Sequence, residues 1–254
     1  MGLYLGKEKL CSCDELVYTS NSMKMFFDAG GKLRDMATVT SVDELFQKSD
    51  TADVTDMSYM FYYCRSLTSV PEMNTGSVTD MRFMFAYCTK LTSVPAMDTS
   101  KVTDMGYMFS SCSSLTSVPA MDTGNVTSMS NMLAYCTKLT SVPEMNTGNV
   151  TSMSQMFYVC SSLTSVPAMD TSKVTNMGYM FSSCSSLAEI HMYGMKVSFD
   201  ISASTKFTRE ALVEILNNLA TITSSKTLTM GSTNLAKLTD DDKAIATGKG
   251  WTLK

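Results

Sequence analysis

An α/β solenoid, with one short parallel strand and one short helix per 24-residue coil and caps at both ends, is the fold class this sequence predicts. Three observations predict it. Val54, Val78, Val102, Val126, Val150 and Val174 recur every 24 residues, and each opens a near-copy of one unit. Apolar residues fall at the same places in every copy, and one unit is too short to bury its own apolar side, so it is stable only when stacked on the next. All five prolines, and six of the eight cysteines, each keep one place in the unit and so form columns.

The first unit reads VTDMSYMFYYCRSLTSVPEMNTGS. Met57, Met60, Phe61 and Cys64, at i, i+3, i+4 and i+7, predict a short helix with this side in the core. The residue before the first methionine is Asp56, Asp80, Asp104, Ser128, Ser152 or Asn176, each able to accept from an unpaired helical N–H. Residues 67–71 (LTSVP) predict the strand, ended by a proline that lacks an N–H. Asn74-Thr75-Gly76, or Asp98-Thr99-Ser100 in the next unit, predicts a turn held by an Asx side chain. Units one and four share EMNTG, two and five AMDTSK, three and six GYMFSSC, so a block of three coils has been duplicated.

Cys64, Cys88, Cys112, Cys136, Cys160 and Cys184 read as a ladder of inert buried thiols, because cysteine packs as a small hydrophobe. Zinc needs paired ligands that the single His191 does not complete. Cys11 and Cys13 are spaced too tightly for common zinc motifs. Most of the 24 methionines occupy repeated core positions, where flexible thioethers fill gaps.

Three regions follow. Residues 1–53 form an N-terminal attachment segment with a worn capping repeat (Val39, Val42, Leu45, Phe46), residues 54–190 the six repeats, and residues 191–254 longer capping coils. In the last region Thr208 caps a helix whose Ala211, Leu212, Ile215, Leu216 and Leu219 face inward, and Thr239 with Asp242 caps a second. Residues 227–230 and 251–253 read as strands.

A net charge of −4 and a pI near 5.0 argue against a nucleic-acid partner. Apolar runs are too short for membrane insertion, and MGLYLGKEKL lacks the core of a secretory signal, so assembly in the cytoplasm is the expectation. With one histidine and no Gly-rich phosphate loop, neither a catalytic set nor a cofactor site can be built. The single acidic residue per coil (Glu72 beside Asn74, then Asp98 beside Ala96) lies in no D-x-D-x-D-G loop, which argues against a calcium ladder. Sequons at Asn125 and Asn149 follow from the turn's need for asparagine.

The run VTDMSYMFYYCRSLTSVP and its copies resemble the BspA-like leucine-rich repeats of bacterial surface and gut-phage proteins. The tail FTREALVEILNNLA resembles the closing segment of repeat proteins from gut Bacteroidales and their phages, and MGLYLGKEKL resembles the opening of phage tail proteins. The resemblance implies a leucine-rich-repeat-like protein with roles in adhesion and partner binding, and no catalytic residues. Its setting is a phage virion, tail-associated and engaged in host recognition, or alternatively a bacterial cell surface. Its partners are other virion or surface proteins, or a host surface glycan or protein, and a homo-oligomer is compatible with it.

Candidate binding residues are the aromatics that core packing does not dictate: Tyr59, Tyr62, Tyr63, Phe83, Tyr87, Tyr107, Tyr135, Tyr158 and Tyr179. Such rings anchor protein partners or stack on sugars; otherwise they pack over neighbouring coils as a second apolar layer. The opposite face offers Thr68, Thr92, Thr116, Thr140 and Thr164, a hydroxyl surface or simply a wet strand.

Overall fold

The computed structural model describes residues 51–254 and two short antiparallel strands, β1 (Tyr4–Leu5) and β2 (Glu8–Lys9). The worn repeat at 39–46, Cys11 and Cys13 lie outside the described residues.

Each coil lies directly on its neighbour, 24 residues on. One parallel bridge joins each pair, running Asp56 to Asp80, Asp104, Ser128, Ser152 and Asn176. Met57, Met60, Phe61 and Cys64 and their copies are buried, so the apolar spacing located the core face. It did not produce a helix. The N–H groups of Met57, Tyr59, Phe61 and Tyr63 donate upward to the carbonyls of Asp80, Arg82, Met84 and Ala86 at 2.8–3.0 Å. Those of Met60, Tyr62 and Cys64 turn back to Met57, Tyr59 and Phe61 at 3.0–3.3 Å. Every second donor thus bonds between coils and the others close three linked turns. Tyr59 and Tyr63 stand third in the first and last of these turns with φ of 60° and 63°, the sign a type II turn requires there. An eight-residue helix is marginal in water, and a neighbouring coil that offers four carbonyls outcompetes it. Asp56 is accordingly no helix cap; its Oδ1 accepts from the Ser58 N–H two residues on, at 2.8 Å, as an Asx turn.

The predicted strand is also confined. Within the six repeats described, a parallel strand pair forms only where β3 (Ser165–Asp170) meets β4 (Glu189–Tyr193), with irregular register between Val166 and Met169 around Pro167. Between earlier coils two prolines stand level and remove donors from both partners, whereas the coil of β4 has none.

The interior is built of ladders. Phe61, Phe85 and Phe109 stack at 5.4 Å, Leu133 interrupts, and Phe157 and Phe181 resume at 6.0 Å. The six repeat thiols are free and buried. Five of them donate to a carbonyl of the coil below, as Cys112 Sγ does to Phe85 at 3.0 Å. Burial pushes the Cys184 thiol up to about 12 and raises Cys88, Cys136 and Cys160 as well. A second ladder had no clear signal in the sequence: the hydroxyls of buried Thr51, Thr99, Thr123 and Thr147 donate to the next coil's carbonyl at 2.8–2.9 Å. Thr75 is buried in the same column, but its hydroxyl has no partner among the described residues.

Beyond β4 the stack continues with ordinary elements. These are β5 (Phe199–Asp200), α1 (Arg209–Asn218), β6 (Lys226–Thr229), α2 (Ser232–Leu235), α3 (Asp240–Gly248) and β7 (Trp251–Leu253), with β5, β6 and β7 in one parallel sheet. Thr208 caps α1 and a capping box of Thr239 and Asp242 caps α3, as the sequence predicted. Lys249 Nζ donates to the carbonyls of Leu216, Asn217 and Leu219, satisfying the end of α1 from the coil above. Gly250 turns α3 into β7 at φ +89°, where a Cβ would meet the Ile222 carbonyl at 2.7 Å.

Candidate functional aromatic face

The outward side of the linked turns carries two residues of positive φ per coil. One column runs Tyr59, Phe83, Tyr107, Asn131, Gln155, Tyr179; the other runs Tyr63, Tyr87, Ser111, Tyr135, Val159, Ser183. Non-glycine side chains are disfavoured in this conformation, by about 1–2 kcal/mol each in the helical case, so the six tyrosines and one phenylalanine held there need a compensating interaction.

On coils 1–3 the compensation is visible. Tyr59 stacks on Phe83 at 4.6 Å and Phe83 on Tyr107 at 4.4 Å. Tyr63 stacks on Tyr87 at 4.4 Å. Tyr62 stands edge-on to Tyr59, Tyr63, Phe83 and Tyr87, locking the two stacks together. Six predicted candidates therefore form one cluster, which is the second apolar layer the sequence allowed. Charge rims it: the Arg65 guanidinium lies 4.7 Å over Tyr63, and Arg82 Nε bonds Asp80 at 2.9 and 3.0 Å. Asp80 raises the Arg82 pKa, and burial raises that of Tyr59.

The other three candidates stand apart from this cluster. Tyr135 and Tyr158 meet edge-on at 5.2 Å, and Tyr179 is 70% exposed with no ring partner among the described residues. The threonine face is exposed, but its hydroxyls run along the rod, as Thr164 Oγ1 does to the Thr140 carbonyl at 3.1 Å. Sequence reasoning passed over Asn131 and Gln155, although they hold the same repeat position as Tyr59. Among the described residues no group of three or more His, Cys, Asp and Glu side chains is placed to hold a metal ion.

A family described as "Mycoplasma protein of unknown function, DUF285" matches residues 21–142 and 92–193. The chain belongs to this family. A solved structure, the leucine-rich-repeat protein of T. pallidum (TpLRR), is similar at 17% identity and a TM-score of 0.40 over 79% of each chain. No curated protein matches. The DUF285 chain is a repeat protein whose coils are wound by serial turns.

Proposed function

We propose that this DUF285 protein is a non-enzymatic recognition module, a tail-associated virion component that uses its solenoid's aromatic face to engage a host surface. The observation that carries this reading is the concentration of aromatic rings at the positive-φ positions. The core does not need them there and the backbone disfavours them, while rigid rings bring contact area at little entropic cost. The virion setting rests on the resemblance of both ends of the chain to phage repeat and tail proteins. A bacterial cell-surface adhesin is the second reading, favoured by a family description drawn from Mycoplasma.

The test has two arms. Labelled protein applied to a panel of cultured bacterial strains should bind a subset of them, and Tyr63→Ala with Tyr107→Ala should weaken that binding at least tenfold. Undiminished binding by the double variant removes the aromatic face from the proposal. Mass spectrometry of purified phage particles should find the chain; its absence from particles and presence on cell envelopes would establish the adhesin instead.

A further inference from the structure

The column from Tyr59 to Tyr179 keeps φ between 56° and 60° at all six rungs, so its side chains leave the backbone in one direction. Five of the six rungs, all but Tyr179, are pinned by a bond to the next coil: the N–H groups of Tyr107, Asn131 and Gln155 donate at 2.9 Å to the carbonyls of Ser130, Ser154 and Gly178. Phe83 has both faces covered by rings. Tyr107 has one face covered and is 37% exposed; Tyr179 has no ring on either face and is 70% exposed. Between these two tyrosines stand Asn131 and Gln155, whose amides make no hydrogen bond within the described residues. Tyr135 and Tyr158, on the same two coils, meet each other edge-on at 5.2 Å. Stacking accounts for the first three rungs, and among the described residues no ring contact or side-chain hydrogen bond offsets Gln155 or Tyr179.

Resting on the reading of the aromatic face as a recognition surface, we infer that coils 3–6 carry a saccharide site: ring faces from Tyr107 and Tyr179, and hydroxyl contacts from Asn131 and Gln155. The chemistry selects this ligand class. A primary amide both donates and accepts, and so can pair with neighbouring sugar hydroxyls, while a tyrosine face receives the C–H side of a pyranose. Residues 105–110, 129–136, 153–160 and 177–184 contain no charge, unlike the arginine-rimmed cluster on coils 1–2, so an anionic ligand finds no counterion on these turns. The Tyr107, Asn131 and Gln155 rungs, fixed by their bonds to the next coil, are already in place before binding.

Chitotriose, maltotriose and laminaritriose titrated into the full chain, followed by saturation-transfer NMR and calorimetry, test the site. At least one should saturate; Tyr179→Ala and the pair Asn131→Ala, Gln155→Ala should each weaken it at least tenfold, and Tyr59→Ala less than twofold. Thermal melts establish that the variants fold. Saturable binding that ignores the amide pair, or that falls with Tyr59→Ala, overturns the site. No saturable binding by any sugar while the protein still binds bacterial cells overturns the sugar site and leaves the recognition reading standing. Binding to neither sinks both.

Discussion

Met57, Met60, Phe61 and Cys64 have the same spacing as Leu212, Ile215, Leu216 and Leu219, all eight are buried, and yet the first four lie on linked turns and the second four on or just after a helix. The difference lies in where the backbone donors go. In α1 the N–H groups close on their own chain, Thr208 Oγ1 accepts from Ala211, and Lys249 holds the last carbonyls. In the first five repeats, alternate N–H groups leave for the next coil. Apolar period therefore reports which side is buried and leaves open which partner the backbone takes, because both solutions present the same face to the core.

The most damaging change should strike the ladder that the turns support. Phe109 is fully buried and stacked on Phe85 at 5.4 Å. Phe109→Ala should cost about 3–5 kcal/mol in denaturant unfolding, since a coil contacts only its neighbours and cannot close the cavity. Phe109→Leu should cost less than about 1.5 kcal/mol, because Leu133 already fills that place one coil on. Equal losses would mean that the ladder is not the packing unit.

The threonine column sharpens the same point within one element. Thr99→Val breaks the bond to the Asp122 carbonyl and should cost about 1–3 kcal/mol. Thr75→Val removes a buried hydroxyl that has no partner among the described residues and should be neutral or stabilising. Chemical denaturation of the pair checks this; a similar loss at both positions would place a bond at Thr75 too.

A glycine pair separates turn from helix by sign. Ser183 is exposed at φ 64°, so Ser183→Gly relieves a left-handed side chain and should leave stability unchanged or raise it by up to about 1 kcal/mol. Ala211→Gly inside α1 should lower stability by about 1 kcal/mol. A loss at both sites in paired thermal melts would contradict the linked turns.

The period, the core columns, the free thiols, the two longer C-terminal helices α1 and α3 with their caps, and the strands β6 and β7 were legible from apolar spacing and cap chemistry; the short α2 was not. The linked turns were not, because positive φ has no marker when tyrosine and phenylalanine rather than glycine hold it. A column rule was available nonetheless: a position that carries Tyr, Phe, Tyr, Asn, Gln and Tyr tolerates asparagine, the non-glycine residue most at ease there. The proline column was read as ending a strand, whereas two prolines standing level leave at most a single backbone bond between coils there, such as Thr116 N–H to the Thr92 carbonyl at 3.3 Å. Stacked Tyr59, Phe83 and Tyr107 were readable as a column, but how far their faces are used by one another depends on ring spacing that only the structure supplies.

The smallest effect concerns pH, and it too separates the two regions. In the stretch 191–254, His191 Nδ1 meets Glu214 Oε1 at 2.7 Å, joining β4 to α1, with Glu189 3.7 Å from Nε2. The Glu214 hydrogen bond raises the imidazole pKa above its ordinary value, aided by the charges of both glutamates and opposed by burial. A raised folded value means that the stabilisation is complete below the unfolded pKa near 6.5 and disappears as pH climbs through the folded value. At 41% and 45% side-chain exposure the pair is worth no more than about 1 kcal/mol. Melting temperature should therefore fall slightly as pH climbs from about 6.5 through the raised folded value, and His191→Asn should flatten that slope. In acid the sign reverses at Asp242, whose carboxylate is held low by Arg209 and the Thr239 N–H, so its contribution is lost as pH falls through its folded value. Over the neutral to mildly alkaline range the thiols of Cys88, Cys112, Cys136, Cys160 and Cys184, all raised by burial, offer no matching response; a slope retained by His191→Asn would show that His191 is not the titrating group.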